Sequence, residues 1–204
     1  DASPQVKDRT AVSLAIFFHD VVYNPRAGSP KNEQDSALFF DAFGQEALPA
    51  GEPLGLAKGE LIARVRRWIV LTATHKVGDE DEEDCKLFMD FDMAILGAPP
   101  ERYDRYSQEV RQEYCHVPEP MFCKARAAFL EATATGASHI YASQAFRASH
   151  EQRARENMAR EAAELSKRFE KCSVLAKVVA GIVLSSRAKK LGMRAGGGGA
   201  LAGA

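Results

Sequence analysis

Long apolar runs, paired cysteines and an excess of positive charge are all missing from this 204-residue chain, and each absence excludes something. The longest apolar stretches, Ala11–Phe18 and the Lys177-interrupted Val174–Leu184, fall far short of the ~20 residues that a membrane-spanning helix needs. Cys85, Cys115, Cys123 and Cys172 form no CxxC pair and no zinc-ribbon spacing. Cys115-His116 with Cys123 is the nearest approach to a metal motif, and a weak one. We read all four as buried or free thiols, which points to a reducing compartment and a cytoplasmic location. The N-terminal apolar run ends in His19-Asp20 without a small-residue cleavage pattern, unlike a signal peptide. A formal net charge of -1 argues against a generally basic nucleic-acid binder.

The near-neutral total conceals an asymmetry. Residues 145–204 carry twelve Lys and Arg against five Asp and Glu, whereas residues 1–144 carry fifteen against twenty-three. An acidic front suits divalent cations and a basic tail suits an anionic partner, although solvated helix faces account for most such tails.

What is present reads as helix. A dense apolar segment over Asp8–Tyr23 is stopped by Asn24-Pro25. Asn32 is placed to cap a second helix reaching about Phe43, with Glu33 favoured in its first turn by the helix dipole. Gly44–Gly59 predicts a loop. Leu61, Ile62, Val65, Trp68, Ile69 and Thr72 then recur at the i, i+3, i+4, i+7 spacing of an amphipathic helix over Glu60–Lys76. The six acids Asp79–Asp84 predict a solvated turn. Cys85–Leu96 predicts a helix ended by Gly97. Further helices are expected from Pro99-Pro100 to about Tyr114, over Pro118–Thr133, and from Ser143 to about Lys190 with a break near Cys172-Ser173. The low-complexity residues 192–204 predict a flexible Gly/Ala tail. With no hairpin signal and no repeat, the expected class is all-α: a helical domain over 1–171, a helical extension over 172–191 and a disordered tail over 192–204.

Two segments place charge where a plain core would not. Over Ala11–Tyr23 every residue is apolar except Ser13, His19 and Asp20, and over Leu87–Leu96 the only polar residues are Asp90 and Asp92. The apolar positions of the second segment cover nearly the whole helix circumference, so it is buried on most sides. Carboxylates there must be paired, hydrogen-bonded or metal-bound, because an isolated buried ion costs several kcal/mol or more. A His-Asp pair and an aspartate from a second buried helix can offer one nitrogen and two oxygens to Mn, Fe, Co or Zn. A satisfied core histidine and a capping aspartate are the competing account. Helical periodicity alone leaves Asp90 and Asp92 equal.

The segments FFHDVVYNP, NEQDSA, LTATH and FDMAILGAPPERYDRYSQEVRQEY occur in order, followed by CHVPEPMFCKARAAFL, HIY and HEQRARENMAREAAEL. This ordered set, spanning about residues 11–165, resembles the metal-dependent HD-superfamily phosphohydrolases. A lone His-Asp dipeptide would carry no such signal. The resemblance implies an all-α, HD-domain-like bundle binding a divalent metal (Mn, Fe, Co, Zn or Mg) in the pattern H…HD…D. His19 and Asp20 would be the central pair and Asp92 the distal aspartate, with Asp90 in reserve. Asp20 would also orient the attacking water. The pattern further implies a metal histidine upstream, and no histidine precedes His19. We expect that ligand on a segment preceding Asp1; a degenerate site is the alternative.

Other residues join this set with their competing readings. His75 ends the face that carries Trp68 and Thr72, and its place in LTATH implies a phosphate contact or a second-metal ligand. An imidazole stabilising a helix end explains it as well. Glu33, in NEQDSA, would contact a metal-bound water or simply favour its helix start. Arg105, Arg111 and Arg126 are candidates for a phosphate clamp, since guanidinium matches phosphate bidentately, and are otherwise surface ion-pair members. Tyr103, Tyr106 and Tyr114 read as helix packing.

The functional expectation is hydrolysis of a phosphate ester or anhydride on a small phosphorylated substrate, with nucleotides the leading class by superfamily analogy. The competitor is a non-catalytic, degenerate HD module that binds a ligand or partner. No membrane partner is expected, and a nucleic-acid-binding tail over Arg187–Arg194 is a lesser expectation.

Overall fold

Asp8 starts helix α1 (Arg9–Phe18): its carboxylate accepts the Ala11 backbone N–H at 2.9 Å, meeting one of the bonds that a helix start lacks. The N–H groups of Lys7 and Asp8 in turn donate to the Asp84 carboxylate, so the chain's entry is tied to a distant helix. The computed structural model describes residues 5–49, 57–78, 80–136 and 139–190, with side chains described as far as Cys172. Among the described residues there are seven α-helices, one 3-10 turn and no strand, which is the all-α class expected.

Helices α1, α2 (Lys31–Ala47), α3 (Lys58–Leu71) and α4 (Glu83–Asp92) enclose one apolar core around Phe18, Phe40, Val65, Trp68, Ile69 and Phe88. A second core lies among the 3-10 turn (Met93–Gly97), α5 (Pro100–Glu113), α6 (Glu119–Gly136) and α7 (Gln144–Lys190), with Tyr103, Leu130, Tyr141 and Met158 fully buried. Helix α4 serves both, giving Cys85, Phe88 and Met89 to the first core and Leu87 to the second. Its nearly all-round apolar sequence is the trace of that shared position.

Several boundaries differ from expectation for identifiable reasons. Helix α1 stops at Phe18 rather than near Tyr23, because the following turn bonds sideways to α2. Ser36 Oγ accepts the Val22 N–H and donates to the Val22 carbonyl. Asn32 accepts the Asn24 N–H and donates to the Asn24 carbonyl, so it braces this turn instead of capping α2, whose N-cap position is Pro30. Helix α2 runs on to Ala47, one turn past Gly44. A Cβ on Gly44 would lie 2.8 Å from Ile62 Cγ1, so this glycine permits close approach of α2 and α3 rather than ending a helix.

The acidic segment is more than a solvated turn. Asp84 is buried, and Asp81 accepts the Gly78 N–H and pairs with Arg67. Helix α7 passes Cys172-Ser173 without a break, since neither residue disrupts a helix as Gly or Pro does. The tail 192–204 lies outside the described residues. Among those described, no helix is long and apolar enough to cross a membrane.

Candidate functional site

His19 ends α1, its backbone N–H still bonded to the Ala15 carbonyl. Its ring Nδ1 lies 2.9 Å from the Ile16 carbonyl oxygen. A carbonyl can only accept, so Nδ1 carries the proton and Nε2 is turned away from the helix. The ring packs edge-on against Phe88, which stacks on the fully buried Trp68.

Nε2 faces two carboxylates, with Asp20 Oδ2 at 3.4 Å and Asp92 Oδ1 at 3.3 Å. Asp92 closes α4, and its second oxygen lies 2.8 Å from His75 Nε2. His75 reaches it from the turn after α3, where its φ of 52° is left-handed and its N–H bonds to the Leu71 carbonyl. That left-handed residue is what breaks α3's direction and swings the imidazole over α4. Three elements distant in sequence thus deliver His19, Asp20, His75 and Asp92 to one place.

Burial alone would raise the Asp92 carboxyl, but hydrogen bonds and charge from His19 and His75 hold it well below the ordinary carboxylate range. Burial likewise works against the charged form of His19, yet the Asp92 hydrogen bond and the charges of Asp92 and Asp20 push that imidazole up to about 9. Asp20 moves the other way from Asp92. Partial burial raises its carboxyl against the opposing charge of His19, and the carboxylates of Asp92, Glu33 and Glu113 add to the rise. Glu33 is in the first turn of α2, and its Oε2 is buried without a hydrogen-bond partner.

With Nδ1–H donated to Ile16, the raised imidazole shares its Nε2 proton with the two carboxylates. Only once that proton leaves does Nε2 turn a lone pair toward them. Three electron-pair donors meeting without a hydrogen between them require a proton or a metal cation. One imidazole nitrogen and two carboxylate oxygens form a donor set suited to a transition-metal dication, and a backbone carbonyl on the other ring nitrogen is the usual brace for a ligating histidine. As it stands, no group of three or more His, Cys, Asp or Glu among the described residues is arranged to hold a metal ion. Here the donors bond to one another.

Asp20 and Asp92 open onto a cleft of about 510 Å³ between the α1–α2 turn, the 3-10 turn and α5. Glu109 and Glu113 add two more carboxylates, while Arg126 is the one basic side chain on the wall among the described residues. Tyr23, Tyr106 and Tyr114 supply aromatic surface, and the Tyr23 hydroxyl donates to Glu113 at 3.1 Å. Tyr106 and Tyr114 pack as helix residues and line this cleft too.

The arginines are differently placed. Arg105 is exposed on α5 and does not line the cleft. Arg111 donates to Glu119 and to the Tyr114 and Val117 carbonyls, clamping the turn between α5 and α6. Arg126 reaches the cleft but is nearly buried and pairs with Glu161, which also accepts from the Tyr103 hydroxyl at 2.6 Å. Asp90 is elsewhere altogether: it is 2% exposed and accepts the Ala142 and Ser143 N–H groups ahead of α7. Sequence reasoning missed Tyr23, Glu109 and Glu113. Tyr106, Glu109, Val110 and Glu113 do share one face of α5, a spacing that marks a common surface but not its chemistry.

Comparison with known protein-family models, curated proteins and solved structures returns no match.

Proposed function

We propose that this chain is an HD-type, metal-dependent phosphohydrolase acting on a phosphate ester or anhydride, nucleotides being the class that the sequence resemblance implies. One observation carries the reading: His19 Nε2 lies within 3.4 Å of both Asp20 Oδ2 and Asp92 Oδ1, so a dication could replace the proton that these three atoms share. His19, Asp20 and Asp92 would hold the cation. Bound there, a divalent ion (Mn, Fe, Co, Zn or Mg) supplies Lewis acidity toward a phosphoryl oxygen and makes water more acidic.

The chain's own residues then divide the work. The Ile16 carbonyl fixes the His19 ring, and His75 fixes the second oxygen of Asp92, so both ligands are oriented in advance. Asp20, its side chain 59% exposed and its carboxyl raised, faces the cleft and accepts the proton of the attacking water. Glu33, whose buried Oε2 has no partner, would offer that water a second acceptor. Four carboxylates against one already paired arginine would repel a phosphate, so the cleft needs added positive charge before it can take one.

The test is elemental analysis of gel-filtered protein, followed by phosphate release from a panel of nucleotides and simple phosphoesters with Mn. Near-stoichiometric metal, with Mn-dependent release that Asp92→Ala abolishes, is the expected result. No release from the wild type, or equal release from Asp92→Ala, rejects it. A second reading, a non-catalytic module, is supported by Asp92 already having an imidazole on each oxygen. In that case the cluster only locks α1, α3 and α4 together, and added metal leaves thermal stability unchanged.

A further inference from the structure

The acidic cleft does not end at its far wall. A second cavity of about 420 Å³ lies between α5 and α6, and the two share Val110, Tyr114 and Arg126. The chemistry changes sharply across that boundary: beyond it the walls are Val117, Phe122, Ala125 and Phe129. Its one cationic lining group among the described residues, the Arg126 guanidinium, is already bonded to Glu161.

We infer that this groove binds an apolar alkyl or aryl group of a ligand whose phosphate end lies at the His19–Asp92 cluster. The inference rests on the phosphohydrolase reading for the phosphate end and on the groove itself for the apolar end. A sugar or base placed there would exchange water for mainly apolar walls, leaving most of its polar atoms unpaired. A hydrocarbon meets no such cost, and the groove's volume falls within the range of small-molecule sites. Phe129, 57% exposed, and Ala125 leave the groove open along α6, so a chain longer than the cavity can continue into solvent.

Two ligand series separate the two ends. The first is n-butanol, n-hexanol and n-octanol titrated by NMR into full-length protein treated with EDTA, which needs neither metal nor phosphate. The second is the matching alkyl phosphates with and without Mn. Expected is an affinity rising about fourfold per added methylene in both series. That slope should collapse in Ala125→Glu, which puts a charge at an exposed groove position, and weaken in Phe129→Ala. Leu38→Ala, an exposed apolar position on α2, should leave it intact. Circular dichroism confirms that each variant is folded. A flat alkanol series, or a slope equal in Ala125→Glu and wild type, overturns the inference even where Mn strengthens phosphate binding. A slope in the alkanols with no effect of Mn on the phosphates keeps the groove and removes the metal reading.

Discussion

Asp90 and Asp92 are two residues apart on α4 and face nearly opposite ways, Asp90 onto the Ala142 and Ser143 N–H groups and Asp92 onto His19 and His75. Two residues of helix turn a side chain by about 200°, so one helix end supplies both a structural anchor and a member of the candidate site. Their partners differ in kind. Backbone N–H groups cannot change protonation, whereas imidazoles can.

Asp90→Asn should therefore unfold at much lower denaturant than Asp92→Asn. An amide at position 90 offers one acceptor oxygen to two backbone donors and turns its own N–H toward the other. That leaves a buried donor unpaired, at a cost of about 1–3 kcal/mol. At position 92 a neutral imidazole can accept from the amide instead. Urea melts of both variants at neutral pH give the comparison. Equal midpoints would show that Asp90 does not anchor the start of α7.

The His19–Asp92 contact predicts an unusual titration in metal-free protein. His19 should titrate at about 9 rather than near 6.5, and in Asp92→Asn its midpoint should fall, because burial is then opposed only by the Asp20 charge and the Ile16 hydrogen bond. The linkage has a definite sign. A histidine raised by folding stabilises fully below 6.5, and its contribution is lost as pH rises through about 9. Asp92, depressed by folding, contributes above its ordinary value of 3.8 and loses that contribution as pH falls below it. The pair's support is thus greatest between about pH 4 and 6.5. An NMR pH titration of the imidazole decides it, and a wild-type midpoint below 7 would mean that the contact does not form in solution.

His75 carries a backbone cost that its side chain has to justify. A residue with a Cβ in the left-handed region costs about 1–2 kcal/mol relative to glycine, while glycine gives back about 0.4–1 kcal/mol through the unfolded chain. His75→Gly should then be more stable than His75→Ala by about 0.5–1 kcal/mol. Both lose the Asp92 contact, so both should lose any Asp92-dependent activity equally. Chemical denaturation of the two variants tests the backbone, and an alanine variant as stable as the glycine one would refute the left-handed turn.

How much of this was readable beforehand depends on whether a contact leaves a periodic trace. Leu61, Ile62, Val65, Trp68 and Ile69 are all buried on α3, as their spacing implied, because a helix face records its own environment. Gly44 misled, since a glycine that admits Ile62 looks the same in sequence as one that ends a helix. Arg111 and Arg126 were candidates for phosphate because their partners, Glu119 and Glu161, come from other elements. Periodicity could not choose Asp92 over Asp90, whose distinction lies wholly in what α1, α3 and the α7 entry bring to them.

Gly97, just past the candidate site, is a packing requirement rather than a flexible stop. A Cβ there would lie 2.7 Å from His150 Cβ, 2.8 Å from the Tyr141 hydroxyl and 2.9 Å from the His150 carbonyl oxygen. Backbone on one side leaves little room to yield, so Gly97→Ala should cost about 1–3 kcal/mol or more. Gly59, in the first turn of α3, has nothing within 4 Å of its virtual Cβ. Gly59→Ala should be neutral or stabilising by up to about 1 kcal/mol. Thermal melts of the two alanines, opposite in sign, check the α7–Gly97 packing that backs the Asp92 turn.

Arg126 links the second core to the cleft, and its partner is the reason a single substitution will mislead. Arg126, Glu161 and Tyr103 have side chains mostly withdrawn from water, and Glu161 accepts from both of the others. Arg126→Met leaves the Glu161 carboxylate buried without its cation, which costs about 3–5 kcal/mol. Adding Glu161→Leu removes the stranded charge but orphans the Tyr103 hydroxyl, so recovery should be incomplete until Tyr103→Phe is included. The triple variant should approach or exceed wild-type stability, since apolar groups of similar volume often replace a buried ion pair without loss. If Arg126 served only the substrate, Arg126→Met alone would leave the melting temperature unchanged. A loss of stability in the single variant, restored in the triple, would instead place its first duty in the fold, with any contact to ligand made by a guanidinium that Glu161 already holds in position.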